Sequence, residues 1–147
     1  MSELPSSVLF ACTWNAVRSP MAAALMTQLF GARLQVESVG VRRGALDGFV
    51  VAVLDEIGID VSRHEAKTFE DLEDERFELV ITLSPEAQHS AIELTRTMRC
   101  EVEFWHTLDP SIIEGNREMR LHAYRQVRDQ LRQRLIERFS LPPAPGG

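Results

Sequence analysis

Cysteine is scarce. The 147 residues hold two, Cys12 and Cys100, with no C-x-x-C pair and no His/Cys spacing of the kind that binds zinc. That excludes a disulfide framework and suits a compartment where thiols stay reduced, so the cytoplasm is the expected location. Long apolar runs are missing as well: stretches such as FVVAVL are far too short to span a bilayer, and MSELPSS lacks a basic n-region, so neither a membrane span nor a targeting signal is expected. Positive charge is in deficit, with 16 Lys and Arg against 22 Asp and Glu, a net charge of -6 and a pI near 5.2. The overall field therefore repels nucleic acid and anionic membranes, and any anion site must be built from local groups. A Gly-Lys-Ser/Thr nucleotide loop and internal repeats are both absent.

What remains is ordinary for a globular chain, 44% hydrophobic and 26% charged, and its length suits one domain. That domain is expected over residues 1–140, leaving 141–147 of the tail SLPPAPGG disordered. SVLFA reads as a buried strand ending at Cys12, and SPMAAALMTQLFGAR follows with helical spacing of Ala, Leu and Met. LQVESVG alternates like a second strand, and GFVVAVLDEIG reads as a helix closed by a left-handed Gly58. FELVITLS is a third strand, PEAQHSAIELTRTM a helix with Pro85 in its first turn, and CEVEFW a fourth strand. EDLEDER is expected as a solvated acidic turn or short helix. From about Ile113 to Phe139 a long helix carries Leu121, Tyr124, Val127, Leu131 and Leu135 on one face. Strands alternating with helices imply a parallel sheet covered on both faces, a three-layer α/β/α sandwich. Such sheets bind ligands beyond the carboxyl ends of their strands, where Cys12 falls.

CTWNAVRSP, Cys12 to Pro20, thus lies between a buried strand and a helix. In that position successive backbone N–H groups and the positive end of the helix can converge on a tetrahedral dianion, and Arg18 supplies a planar fork for two of its oxygens. The same field favours a thiolate at Cys12, the form of cysteine that acts as a nucleophile. Ser19 can donate its hydroxyl to the sulfur, and Asn15 tolerates a left-handed backbone angle. The competing interpretation makes Cys12 a small buried hydrophobe and Arg18 a surface residue.

With Asn15, Arg18, Ser19 and Pro20 in place, the loop resembles that of the low-molecular-weight protein tyrosine phosphatases and the related thioredoxin-coupled arsenate reductases, whose pattern runs Cys-x-Gly-Asn-x-Cys-Arg-Ser-Pro or -Thr. Downstream, Asp109-Pro110 in WHTLDPS is similar to the family's Asp-Pro loop, which carries the general acid. Between them, ESVG with Ser38 and GIDVSRHEAK with His64 resemble the family's second strand and Ser-x-His segment, so the likeness runs from about Val8 to Phe139. It implies a four-stranded parallel sheet and a cofactor-free, metal-free cysteine-dependent phosphatase. Cys12 would be the nucleophile, Arg18 and the N–H groups from Thr13 through Trp14, Asn15, Ala16 and Val17 to Ser19 the anion clamp, and Asp109 the acid and then the base. Ser38 and His64 would brace the loop. The implied partner is a phosphorylated protein or small phosphate ester, not nucleic acid or a membrane; the oligomeric state is open.

Two positions depart from the pattern. Val17 replaces the second cysteine, leaving Cys12 without a neighbour for a protective disulfide. Trp14 stands where glycine is usual. If the backbone angle there is ordinary, the indole forms a wall over the leaving group; if not, the cradle is distorted. Ser111, Ile112 and Ile113 follow Asp-Pro where phosphotyrosine enzymes often carry aromatic residues, and Thr13 is similar to the threonine of the arsenate reductases and protein arginine phosphatases of the family. Phosphotyrosine and phosphoarginine therefore both stand as substrates. Arsenate reduction is an alternative, although the region after the third strand has Ser84 and no cysteine; a catalytically weak phosphate-binding module is another. His89, His106 and His122 form no metal spacing; Arg42 and Arg43, just past the second strand, read equally as a pair that meets an anionic substrate at the sheet's carboxyl edge or as a solvated pair, and the arginines of the last helix read as a solvated face.

Overall fold

The computed structural model describes residues 4–31, 33–72 and 75–139. Four strands, β1 (Ser7–Cys12), β2 (Gln35–Gly40), β3 (Leu79–Thr82) and β4 (Glu101–Phe104), form one parallel sheet in the order β2-β1-β3-β4. Every residue of β1 and β3 is buried, as expected for central strands of a sheet covered on both faces. Side chains of β1 alternate between two cores. Val8, Phe10 and Cys12 pack with α1 (Arg18–Phe30), α2 (Gly48–Asp55) and α4 (Arg117–Phe139), while Leu9 and Ala11 pack with Ala87 and Ala91 of α3 (Pro85–Leu94). Three layers result, with α1, α2 and α4 on one side and α3 on the other.

Strand order reverses at β1: the chain leaves it toward β2 on one side and returns to β3 on the other. The carboxyl end of β1 is thus a switch point where two connections diverge and a crevice opens, and Cys12 is its last residue.

Helix ends follow local chemistry. Asp47 caps α2 by accepting from the Phe49 N–H at 2.8 Å, and Ser84 caps α3 by accepting from the Ala87 N–H at 3.2 Å. Gly58, at φ +82°, stands three residues beyond α2, and the next residue, Ile59, bonds back to the Leu54 carbonyl at 3.0 Å. α1 alone has a different start: Val17 stands at its N-cap with no side-chain bond.

The last helix starts at Arg117 and not near Ile113. Asp109 first caps a single 3-10 turn, Pro110–Ile112, and Gly115 at φ +134° reverses the backbone before Asn116 accepts from the Met119 N–H. The expected apolar face, Leu121 to Leu135, is buried throughout. Of EDLEDER, Glu70 to Leu72 lie in a 3-10 turn; Glu73 and Asp74, and the expected disordered tail, lie outside the described residues.

Candidate active site

The loop leaving β1 turns its carbonyls outward. Those of Cys12, Thr13, Trp14 and Ala16 accept from the N–H groups of Val41, Arg42, Gly44 and Asp47 at 2.8 to 3.1 Å, and that of Asn15 meets Nε2 of His64 at 3.2 Å. A carbonyl can only accept, so Nε2 carries the proton. The N–H groups of Thr13 to Val17 donate to no acceptor among the described residues, while the Ser19 N–H is directed at Cys12 Sγ, 3.4 Å away. With carbonyls engaged on the outside and amides left over, the loop and the start of α1 form a partially positive concavity around the sulfur.

Asn15 holds this shape. It is fully buried and, at φ 54°, is the one non-glycine residue with a left-handed backbone among those described. Its Nδ2 donates to Ser19 Oγ at 2.9 Å and Ser38 Oγ at 3.0 Å, and its Oδ1 accepts from the Lys67 N–H at 2.9 Å. Every polar atom of the side chain is engaged, and the Lys67 amide, which can only donate, fixes the orientation of the carboxamide. Gly40 at the end of β2 makes the close approach possible, since a Cβ there would fall 2.6 Å from the Asn15 nitrogen and 2.7 Å from the Trp14 carbonyl carbon.

Ser19 Oγ lies 3.0 Å from Cys12 Sγ and 3.1 Å from the Val39 carbonyl, but a hydroxyl has one proton. With a thiol, S–H donates to Oγ and O–H to Val39; with a thiolate, O–H turns to the sulfur. The bond from Asn15 keeps the oxygen in place in both states.

Cys12, Trp14, Arg18, Asp47, Asp109 and Ser111 border one cavity of about 200 Å³. Trp14 is 49% exposed and its φ is not positive, so the left-handed turn falls on Asn15 and the indole stands out as a wall, with the Arg42 guanidinium 5.4 Å from its ring centre. Arg18 Nη1 donates to the Thr107 carbonyl at 3.0 Å and, more weakly, to that of Leu83 at 3.4 Å, tying the loop to the Asp109 segment. Asp109 Oδ1 accepts from the N–H and Oγ of Ser111 at 2.9 and 2.7 Å. Thr13 does not border the cavity: its hydroxyl donates to Ser84 at 3.1 Å. A larger cavity of about 480 Å³ lies behind the brace, bordered by Ser38, His64, Ala24 and Ile59. No cysteine borders it, whereas Cys12 borders the smaller one.

Asp47, which the sequence reading did not single out, caps α2 and also borders this cavity. Besides the Phe49 N–H it accepts the Tyr124 hydroxyl at 2.5 Å; burial, with this carboxylate second, pushes the phenol well above its ordinary range. Cys100, whose thiol burial pushes upward, is remote. Register pairs Val8 with Leu79 and Leu79 with Glu101, so Cys100 and Cys12 differ by five residues, about 16 Å along the strands, against a Cα limit of about 7 Å for a disulfide.

The chain matches the family described as low molecular weight phosphotyrosine protein phosphatase over residues 7–139. It is 30% identical to an arsenate reductase of Halalkalibacterium halodurans over 87% of this chain and 91% of that one. Among solved structures it resembles the tyrosine phosphatase amsI of Erwinia amylovora, with 18% identity, a TM-score of 0.74 and coverage of 94% and 95%. It also resembles the YwlE arginine phosphatase, with 25% identity, a TM-score of 0.71 and coverage of 88% and 90%.

Proposed function

Because the chain belongs to the low molecular weight phosphotyrosine protein phosphatase family, and with it to phosphatase-like hydrolases, we propose that it hydrolyses a phosphorylated side chain or small phosphate ester through a cysteinyl-phosphate intermediate. The thiolate of Cys12 attacks phosphorus while the amides of Thr13 to Ser19 and the Arg18 guanidinium hold the equatorial oxygens. Asp109 protonates the leaving atom, then takes a proton from the water that cleaves the thiophosphate. The observation that carries this reading is the loop itself: outward carbonyls satisfied, amides of Thr13 to Val17 unpaired, and the Ser19 N–H aimed at the sulfur.

Phosphate release from aryl, phosphotyrosyl and phosphoarginyl substrates tests it. Cys12→Ser should abolish turnover, and Asp109→Asn should lower kcat by about 10² to 10⁴, most for the poorest leaving group. Wild type inert on all three overturns the proposal.

The likeness to an arsenate reductase favours a second reading, in which Cys12 attacks arsenate in the same cradle. Arsenate is reduced by two electrons as the sulfur of Cys12 and a second thiol join in a disulfide and arsenite leaves; Cys100 lies too far away to be that thiol, so an external thiol would resolve the intermediate. Arsenate-dependent thiol oxidation without phosphate release distinguishes it. Phosphate binding without either reaction would mark the chain as a sensing module.

A further inference from the structure

The cavity over Cys12 has a charge pattern that an uncharged or anionic leaving group does not use. Arg18 donates to the Thr107 carbonyl, and in the phosphatase reading its guanidinium serves the phosphate. Two carboxylates, Asp47 and Asp109, remain on the border of the same cavity. Neither makes an ion pair among the described residues, and the charge of Asp109 is felt at the Tyr124 hydroxyl that Asp47 accepts. Arg120, whose charge opposes theirs at Tyr124, has its guanidinium carbon over the Phe49 ring, 4.6 Å from its centre, and is paired with neither carboxylate, so it softens the negative field without neutralising it. Only one carboxylate is needed for proton transfer. Asp47 is held still by the Phe49 amide and the Tyr124 hydroxyl, and neither bond removes its charge. Trp14 adds an aromatic surface in the same wall, already shown to accept one guanidinium.

We propose that Asp47 is a specificity-determining residue that selects a cationic leaving group, so that the preferred substrate is an N-phosphorylated guanidinium side chain. The inference rests on the phosphatase reading above. As the S–P bond forms, the P–N bond breaks and its electron pair goes to nitrogen, which takes the Asp109 proton; the side chain departs as a guanidinium beside Asp47. Water then attacks phosphorus, its proton passes to Asp109 and the S–P pair returns to sulfur. An aryl or tyrosyl phosphate presents no positive charge there to offset the repulsion between its phosphate and the Asp47 carboxylate, Asp109 being protonated until it has served as the acid.

The test is kcat/KM for a phosphoarginyl peptide and for an aryl phosphate with wild type, Asp47→Asn and Asp47→Ser. Both replacements preserve an acceptor for the Phe49 N–H, and thermal melts establish that each variant is folded. Losing one unit charge at this range should cut the phosphoarginyl kcat/KM about tenfold and raise that of the aryl phosphate a few-fold, a divergence no loss of stability produces. Wild-type preference should also shrink with added salt. Parallel losses on both substrates in the folded variants, or a wild type that turns over aryl phosphate without preferring phosphoarginine, overturn the assignment of Asp47. A wild type inert on every phosphate substrate is a failure of the phosphatase reading instead.

Discussion

Replacing Asn15 with alanine attacks the loop at its most connected residue. Three hydrogen bonds, to Ser19, Ser38 and Lys67, are lost from a fully buried position, at about 1 kcal/mol net for each. Alanine must also adopt φ near 54°, which costs a residue with a Cβ and no local hydrogen bond about 1 kcal/mol more. The sum is about 4 kcal/mol, a large part of the 5–15 kcal/mol typical of a domain. Asn15→Gly loses the same bonds without the backbone penalty, so it should be about 1 kcal/mol more stable than Asn15→Ala although it has less side chain. Urea unfolding followed by tryptophan fluorescence gives both values. An alanine variant within about 1 kcal/mol of wild type, or a glycine variant no better than alanine, refutes the account of the loop as a braced, left-handed turn.

A Cβ at Gly40 meets backbone of Trp14, Asn15 and Arg42 at 2.6 to 2.7 Å, and backbone cannot step aside. Gly40→Ala should therefore lower phosphatase kcat by at least about tenfold, by displacing the N–H groups, while leaving the far-UV circular dichroism spectrum of the sheet and helices unchanged. Glu56 joins α2 to α4 through Arg125 and Arg128, and those bonds, that to Arg125 foremost, lower its carboxyl from 4.5 to about 2. A folded-state value below the unfolded one stabilises above about pH 4.5 and is lost as pH falls toward about 2. Urea midpoints at pH 6 and pH 3 should fall less in Glu56→Gln than in wild type.

Some of this molecule could be read from local pattern and some could not. The alternation of strands and helices follows from hydrophobic period, and the apolar face Leu121 to Leu135 from helical spacing, because both depend on residues close in the chain. The start of α4 misled: Ile112 and Ile113 continue an apolar spacing, but Gly115 and the Asn116 cap override it. The brace was visible in outline, through Ser38 and His64. Its backbone partner, Lys67, offers no side-chain signal, since it contributes an amide to Asn15 and a carbonyl to Gly40. Asp47 was not singled out from the sequence, although it directly precedes α2 and caps it. Its second role arises only when the chain folds α2 and α4 against the end of β1, bringing together groups 77 residues apart.

Trp14 is tolerated because its neighbour carries the awkward backbone angle. The tightest bend of the cradle is thereby uncoupled from the residue that shapes its rim, and the position can vary in size and polarity without disturbing the amides beneath. A lineage holding such an arrangement can retune which phosphorylated molecules it admits by exchanging one side chain, while the reaction underneath is inherited intact.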